Sequence, residues 1–278
     1  MRAAAEQVIV VTGATDGLGR AVATELADRD ATLLLHGRDE TRLADTVERI
    51  RAETRNGRLH TYRADFSSLD EVGGMAERIV RDQEQIDVLV NNAGIGTTLP
   101  GDGERMESRD GHELRFAVNY LAHYLLTRRL LPLIIGSAPT RIVNVSSAGQ
   151  APIDFDDVML ERAYDGVQAY CQSKLAQVMF TFDLAEELRD EQVTVNCLHP
   201  ATYMPTKIVL HARGNAVSTL EEGMEATLRL AAGAELDGIT GRYFSGQSEG
   251  RAHPQAYDPD ARRRLRELSE RLAGGTGR

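Results

Sequence analysis

Tyr170 and Lys174 are the two residues whose types and spacing most directly predict catalytic chemistry. Side chains four residues apart share one face of a helix, so this spacing places a phenol beside an ammonium. A free tyrosine has a pKa of about 10, and a neighbouring cation lowers that pKa because it favours the phenolate. The pair therefore predicts a general acid/base, with an exposed Tyr/Lys pair on an amphipathic helix as the alternative.

A glycine-rich turn near the start of the chain predicts a nucleotide site. Residues 12–19 read Thr-Gly-Ala-Thr-Asp-Gly-Leu-Gly and follow the apolar run at 8–11. Glycines permit a positive φ and close backbone approach, and a helix start presents free N–H groups to a pyrophosphate. A tight turn whose glycines serve only packing is the alternative. The residues expected to bind a cofactor here are Gly13, Thr15, Asp16, Gly17, Leu18 and Gly19.

The elements that must position these residues alternate short apolar runs with amphipathic stretches. Strands are predicted at 8–11, 32–36, 59–63, 86–90, 141–145, 193–198 and 241–244. Helices are predicted at 17–27, 42–51, 72–80, 111–131, 168–188, 220–232 and 259–272. The fourth helix is expected to stop near Pro132, and a glycine-rich stretch at 91–111 is expected to form a long loop.

This alternation predicts an α/β fold, a doubly wound parallel sheet (Rossmann fold) of about seven strands with helices on both faces. Strands separated by helices of this length imply right-handed crossovers and a sheet that is covered on both sides. Because no Pro/Ser-rich linker divides residues 1–278, we interpret them as a single domain. The ligand should lie beyond the carboxyl ends of the strands, where the strand order switches.

The composition excludes several other classes of protein. The 278 residues carry a formal net charge of -10, which disfavours a general nucleic-acid binder. Cys171 and Cys197 lie in no CxxC or Cys/His cluster, so no metal site is predicted, and two free thiols suggest a reducing compartment. No apolar run approaches the roughly 20 residues needed to cross a bilayer. We therefore expect a cytoplasmic protein without a membrane span.

The Gly-x3-Gly-x-Gly spacing of residues 13–19 resembles the opening motif of the short-chain dehydrogenase/reductase family. Further motifs of that family follow in order to about residue 206. They are Asn-Asn-Ala-Gly at 91–94, a helix asparagine at 119, a serine pair at 146–147, Tyr-x3-Lys at 170–174, and Pro200 where the family has Pro-Gly. The resemblance implies a nicotinamide-dependent oxidoreductase in which a single NAD(P)-binding Rossmann domain spans residues 1–278.

The resemblance also implies catalytic roles for Asn119, Ser147, Tyr170 and Lys174. Ser147 would hydrogen-bond the substrate oxygen, and Tyr170 would exchange a proton with it. Lys174 would lower the pKa of the tyrosine and hold the nicotinamide ribose, while Asn119 would hold a water that links the lysine to solvent. Helix capping or turn formation is the alternative for Ser147.

The family pattern adds residues to the expected cofactor site. Asn92, Ala93 and Gly94 would line the adenosine side, and Asp65 would meet the adenine. A simple loop turn is the alternative for residues 91–94, and a helix N-cap is the alternative for Asp65. The remaining members of the expected cofactor-binding set are Phe66, Arg38, Pro200, Tyr170 and Lys174.

Ser147 and Tyr170 are 23 residues apart, a longer gap than is common in the family. This gap resembles the retinol-dehydrogenase-like branch and implies an insertion loop at about 149–166 that lies over the site. A substrate lid is expected at about 202–218, where apolar residues suggest a small apolar substrate. By analogy with the family, the protein is expected to form a homodimer or homotetramer through the helices at 111–131 and 168–188.

The residues after the second predicted strand favour NADP(H), with NAD(H) as the alternative. NAD-preferring members usually carry an acid at the strand end to bind the ribose 2′-OH, whereas this chain has Gly37 followed by Arg38. The planar guanidinium of arginine suits a 2′-phosphate. Two residues oppose this interpretation, because Asp16 stands where many NADP-dependent members have a basic residue and Asp39 is expected to pair with Arg38.

The predicted function is hydride transfer that interconverts a carbonyl and an alcohol on a small molecule, with the tyrosine as acid/base. Epimerase or dehydratase chemistry with a recycled nicotinamide is disfavoured, because such members tend to have a larger substrate lobe. A non-catalytic NADP(H)-binding sensor or scaffold is the alternative from another class. The complete catalytic set argues against it, since a chain freed from catalysis would not need all four residues.

Overall fold

The computed structural model describes residues 1–98, 104–206, 209–210 and 214–274. Its strands are β1 Val8–Val11, β2 Thr32–Gly37, β3 Leu59–Arg63, β4 Val88–Asn91, β5 Thr140–Val145, β6 Val193–His199, β7 Tyr243–Ser245 and β8 Ser248–Glu249. Its helices are α1 Gly17–Asp28, α2 Glu40–Thr54, α3 Leu69–Asp82, α4 Leu114–Phe116, α5 Ala122–Gly136, α6 Gly166–Glu187, α7 Leu220–Ala232 and α8 Pro259–Gly274. A π-helical turn, Ala117–Leu121, joins α4 to α5.

The strands form one sheet in the order β3-β2-β1-β4-β5-β6-β7-β8. The first seven in this order are parallel, and the two-residue β8 pairs with β7 in the antiparallel sense. The doubly wound α/β fold predicted from the sequence is thus confirmed, with one short strand more than the predicted seven. The chain leaves β1 toward β2 on one side and later returns to place β4 on the other, which creates a switch point between β1 and β4.

Alternating side chains of each strand enter two separate cores. Ile9 and Val11 of β1 belong to one cluster and Val10 to the other, and β4 divides its apolar residues in the same way. One core is covered by α3, α5, α6 and α8, and the other by α1, α2 and α7. Because both faces of the central sheet are buried, β1, β2 and β4 consist largely of consecutive apolar residues, and these runs could be recognised in the sequence.

The helix before β5 differs from its prediction at both ends. It begins at Leu114 rather than Gly111, and α5 continues through Pro132 to Gly136. An internal proline removes a backbone hydrogen bond and costs about 3 kcal/mol. The helix continues because Leu130 and Ile134, on either side of the proline, are completely buried in the core. In the described ranges, no helix is both long enough and apolar enough to pass through a bilayer.

Candidate active site

A cleft of about 870 Å³ opens beyond the carboxyl ends of β1 and β4. The predicted residues that line it are Gly13, Thr15, Asp16, Gly17, Leu18, Gly19, Arg38, Asp65, Phe66, Asn92, Ala93, Gly94, Ser147, Tyr170, Lys174 and Pro200. Asn119, the remaining predicted residue, is fully buried behind the cleft. Of the expected lid at 202–218, residues 207, 208 and 211–213 lie outside the described residues. Sequence positions from seven different segments therefore converge on one space.

The glycine turn is shaped so tightly that side chains are excluded from it. Gly13 and Gly17 have φ values of +67° and +48°, a region that favours glycine. A β-carbon on Gly19 would lie 2.3 Å from the Gly13 carbonyl oxygen and 2.4 Å from Asn92 Nδ2. Asp16 caps the following helix by accepting a hydrogen bond from the Gly17 N–H at 2.9 Å. The turn brings backbone N–H groups and the α1 N-terminus to the cleft, as an anionic ligand requires.

Thr12 links the glycine turn to the Asn-Asn-Ala-Gly segment. Its Oγ1 accepts hydrogen bonds from the N–H groups of Asn92 and Ala93 at 2.8 and 3.0 Å. Asn92 Nδ2 donates in return to the Thr12 carbonyl at 2.8 Å. Asn91 Nδ2 donates to Asn144 Oδ1 at 2.8 Å and so ties β4 to β5. This segment is therefore a brace between the central strands in addition to a wall of the cleft.

His36 is a buried part of the cleft wall that the sequence did not single out as a site residue. Its Nδ1 accepts from the Gly13 N–H at 3.2 Å, which leaves Nε2 to donate to the Ala64 carbonyl at 3.0 Å. The ring stacks on Phe66 with 4.1 Å between centroids. Burial lowers the pKa of His36 to about 4, so the ring is neutral and holds one tautomer. It thereby supports the glycine turn from behind.

Asp65 and Arg109 lie at the end of the cleft where β3 ends. Asp65 Oδ1 accepts the Ser67 N–H at 3.0 Å, while the N-cap of α3 is Ser68 rather than Asp65. Arg109 reaches over from the segment before α4 to contact Asp65 at 3.4 Å and Glu71 at 2.5 Å. Burial alone would raise the pKa of Asp65, but the Ser67 hydrogen bonds and the Arg109 charge together lower it. The carboxylate is thus ionised and fixed at this end.

Two arginines face the cleft just after β2. Arg38 is exposed and lines the cleft, and Arg42 lines it one helical turn later. Arg42 Nη2 pairs with Asp16 Oδ2 at 3.0 Å. Asp39 instead serves as the N-cap of α2, accepting the Arg42 N–H at 2.9 Å. Asp16 therefore holds a second cation, Arg42, at the same end of the cleft. From the sequence alone, its negative charge counted only against NADP(H).

Ser147 and Tyr170 share one small space in the cleft. A β-carbon on Gly149 would lie 3.5 Å from Ser147 Oγ and 3.7 Å from Tyr170 Cε1, so a larger residue there would intrude between them. Burial raises the pKa of the Tyr170 phenol, and a hydrogen bond with Ser147 opposes that rise only in part. The phenol is therefore protonated at neutral pH.

Lys174 contacts Tyr170 differently from the sequence expectation. Its Nζ lies 5.8 Å from the centroid of the Tyr170 ring and donates to the Val145 carbonyl at 3.0 Å and to Gln177 Oε1 at 2.9 Å. Burial lowers the pKa of Lys174 to about 7. The ammonium is thus hydrogen-bonded to the end of β5, and the pKa of the phenol is raised rather than lowered.

Asn119 lies in the π-helical turn, where the helix is locally widened. Such turns recur at functional sites. Its Oδ1 accepts the Ile95 N–H at 2.8 Å, and its Nδ2 donates to the Ile95 carbonyl at 3.1 Å and to Ser173 Oγ at 3.0 Å. A β-carbon on Gly94 would lie 3.1 Å from Asn119 Oδ1 and 3.7 Å from Lys174 Nζ. The asparagine therefore fixes the loop after β4 beside the lysine.

A buried cation fastens the other end of the cleft. Arg115 is 1% exposed, and its guanidinium donates to the carbonyls of Gly96 and Thr97 at 2.9 and 2.6 Å. It also hydrogen-bonds the Tyr164 hydroxyl, in the segment predicted as an insertion. Glu113, itself fully buried, accepts from Tyr164 at 3.3 Å. Arg115 thus joins the loop after β4 to the 149–166 segment.

The walls near this end are largely apolar. Val167 and Tyr203 line the cleft and are 57% and 42% exposed. The apolar residues that line this part of the cleft are Ile95, Leu114, Val118, Val167, Tyr203, Met204 and Val209. A largely apolar chamber with a few polar groups is typical of a small-molecule site.

Comparison with known protein families agrees with this geometry. The family model described as short chain dehydrogenase matches residues 7–214. Retinol dehydrogenase 13 of Mus musculus is 37% identical in an alignment 286 residues long, gaps included. The alignment covers 96% of this chain and 84% of that protein. Retinol dehydrogenase 14 of Homo sapiens is 35% identical over 96% of this chain and 86% of its own length.

Solved structures show the same fold. A putative uncharacterized protein from Mycobacterium paratuberculosis superposes with a TM-score of 0.77 at 26% identity, covering 97% of this chain and 94% of that one. A short chain dehydrogenase from Shigella flexneri, complexed with NADP, gives 0.71 at 26% identity over 87% and 97% of the two chains. This chain therefore belongs to the short-chain dehydrogenase/reductase family, in its retinol-dehydrogenase-like branch, and is an oxidoreductase of alcohols and carbonyls.

Proposed function

We propose that this protein is an NADP(H)-dependent oxidoreductase that interconverts a carbonyl and an alcohol on a small apolar molecule. The observation that carries the proposal is the convergence of Ser147 and Tyr170 in one small space, with the buried Lys174 beside them. Two hydroxyls that converge this closely can hold one substrate oxygen, and the phenol can exchange a proton with it.

The other end of the cleft fits a dinucleotide. The close approach of Gly19 to Gly13 leaves room for backbone N–H groups, but not for side chains, beside the α1 N-terminus. The N–H groups at the start of α1, left accessible by the glycines of the turn, would hold the pyrophosphate, and Asp65 with Phe66 would meet the adenine. When bound, the nicotinamide supplies or accepts the hydride.

Three observations support a preference for NADP(H). The last residue of β2 is Gly37 and not an acid. A side chain has little room at this position, because a β-carbon on Gly37 would lie 2.6 Å from Thr15 Cγ2. Arg38 and Arg42 both line the cleft at this point, so two guanidiniums are within reach of a 2′-phosphate. Two structural neighbours at 26% identity were solved in complex with NADP or NADPH.

Tyr170 is well suited to donate a proton. Burial raises its pKa, so the phenol carries its proton at neutral pH and is prepared to protonate an oxygen during carbonyl reduction. Ser147 would hold that oxygen by a hydrogen bond. In alcohol oxidation the same groups act in reverse, and the nearby Lys174 ammonium would stabilise the phenolate.

The substrate class follows from the chamber walls. The cleft that holds the Ser147 and Tyr170 hydroxyls is also lined by several apolar side chains, and two of these, Val167 and Tyr203, are exposed. The relatives at 35–37% identity are named for retinol, an apolar alcohol, which agrees with this chemistry. We therefore propose apolar aldehydes, ketones and alcohols as substrates.

The test is a substrate screen with the Tyr170→Phe variant. NADPH absorbance is followed with retinal and with aliphatic and aromatic aldehydes and ketones, and NADH is run in parallel. Loss of the phenol should reduce kcat/KM by about 10²- to 10⁴-fold while NADPH affinity stays within about twofold. Tyr257→Phe, which removes a hydroxyl that accepts the Ala252 N–H outside the cleft, is the control and should retain wild-type rates. Tight NADPH binding without turnover of any substrate would favour a sensor instead.

A further inference from the structure

Lys174 is held from behind by a second layer of buried polar side chains. Two of the three ammonium N–H bonds are directed at the Val145 carbonyl and at Gln177 Oε1. Gln177 is 2% exposed and lies one helical turn after the lysine, on the side away from the cleft mouth. The third N–H is left for a group in the cleft, which Lys174 also lines.

The next member of this layer is His123, which is 1% exposed. Its Nδ1 donates to the Asn119 carbonyl at 2.9 Å, so Nε2 is the acceptor and meets Thr12 Oγ1 at 3.2 Å. Gln177 Nε2 lies 3.5 Å from His123 Nδ1; because both nitrogens carry hydrogen in this tautomer, this is a packing contact and not a hydrogen bond. The chain of contacts thus connects the glycine turn, the π-helical turn and the catalytic lysine.

We propose that Gln177 is a positioning residue that keeps the Lys174 ammonium charged and oriented beneath the cleft, with the neutral His123 ring packed against its amide. The inference rests on the proposed function only where it concerns the effect of Gln177 on the reaction rate. The effect of Gln177 on the charge of Lys174 is measurable without substrate or cofactor.

The physical reason is the cost of burying an ammonium. A buried cation is stable only when hydrogen-bond acceptors replace its water, and a side-chain carbonyl is a suitable acceptor. Burial already lowers the pKa of Lys174 to about 7. The Gln177 oxygen stabilises the ammonium more strongly than the neutral amine, so its removal should lower the pKa of Lys174 further.

Few other charged groups act on this lysine. Tyr170, on the same helix, places its ring 5.8 Å away and is neutral near pH 7. His123, from the helix packed against it, has a pKa lowered to about 3 by burial and is neutral as well. Within the described part of the chain, no carboxylate forms an ion pair with the ammonium. Gln177 is therefore well placed to control its charge.

The sequence offers a direct measurement, because Lys174 and Lys207 are the only lysines in the chain. Protein grown with 13C-labelled lysine gives two Cε signals, and the Lys207→Arg variant assigns the one from Lys174. The pKa of Lys174 is then read by NMR titration of the whole protein in the wild type, Gln177→Leu and Gln177→Glu. Urea unfolding verifies that each variant is folded.

We expect the proton affinity of Lys174 to fall about tenfold or more in Gln177→Leu and to rise by a similar factor in Gln177→Glu. With NADPH saturating, the alkaline limb of kcat/KM should move to lower pH in the first variant and to higher pH in the second. A residue that served packing alone would not move these values in opposite directions. An unchanged Lys174 pKa in folded Gln177→Leu overturns the inference, whereas shifted pKa values without turnover in any variant overturn the proposed function alone.

Discussion

Substituting Gly19 by alanine should weaken cofactor binding and should also destabilise the fold by a comparable free energy. The new methyl group would lie 2.3 Å from the Gly13 carbonyl oxygen and 2.4 Å from Asn92 Nδ2, whereas ordinary contacts between such atoms are about 3.5 Å. The turn would have to open by about 1 Å, and overpacking of this kind costs about 1–3 kcal/mol. Opening it also moves the N–H donors away from the pyrophosphate site. Loss of one charge-assisted hydrogen bond, about 1.5–3 kcal/mol, weakens NADPH binding roughly 10- to 100-fold.

The matched control is Gly73→Ala, because a β-carbon there meets no atom within 4 Å and the residue lies inside α3. This variant should gain about 0.5–1 kcal/mol of stability, since alanine loses less backbone entropy in a helix. NADPH affinity is measured by fluorescence titration and stability by urea unfolding. If Gly19→Ala binds NADPH as tightly as the wild type does, the close approach within the turn is irrelevant to the cofactor and the reasoning fails.

Two further predictions concern buried histidines and the cofactor preference. His36 and His123 are neutral in the fold, with pKa values of about 4 and about 3, so the unfolded chain binds more protons below pH 6.5. Lowering the pH from 7.5 to 6.0 should therefore remove about 0.8 kcal/mol of stability per histidine in urea unfolding. The free energy of unfolding of His36→Gln should depend less on pH by this amount, whereas that of the exposed-site variant His60→Gln should keep the wild-type pH dependence. If both variants show the same pH dependence, burial of His36 is not the cause. Arg38→Ala should weaken NADPH binding about 10-fold or more while NADH affinity, measured by calorimetry, stays the same, and an equal loss for both cofactors would contradict contact with a 2′-phosphate.

The positions of the strands were readable from the sequence because the sheet is buried on both faces. Runs such as residues 8–11 are uniformly apolar, and each is followed by a turn of small or polar residues. The position of the cleft could be predicted for a second reason, because parallel strands place their carboxyl ends at one edge of the sheet. Tyr170 and Lys174 could be placed from a spacing of four, which fixes their shared helical face.

The supporting residues could not be found in this way. His123 and Gln177 occupy helical positions that look like ordinary core sites, and only their offsets of four from Asn119 and three from Lys174 hint at a common network. Arg115 is a charged residue in an amphipathic pattern and would normally be assigned to the surface. The continuation of α5 past Pro132 depends on tertiary packing, which propensity does not contain.

Arg109 and Arg115 stabilise different parts of the cleft through separate sets of contacts. The nucleotide half and the 149–166 segment can therefore be exchanged independently of each other. Arg109 contacts Asp65 and Glu71 at the β3 end, while Arg115 ties the loop after β4 to Tyr164. Among the described contacts, these two anchors have no partner in common. A chimaera that exchanges the 149–166 segment but retains Tyr164 would therefore preserve the nucleotide half, which makes this segment the natural place to graft new substrate preferences.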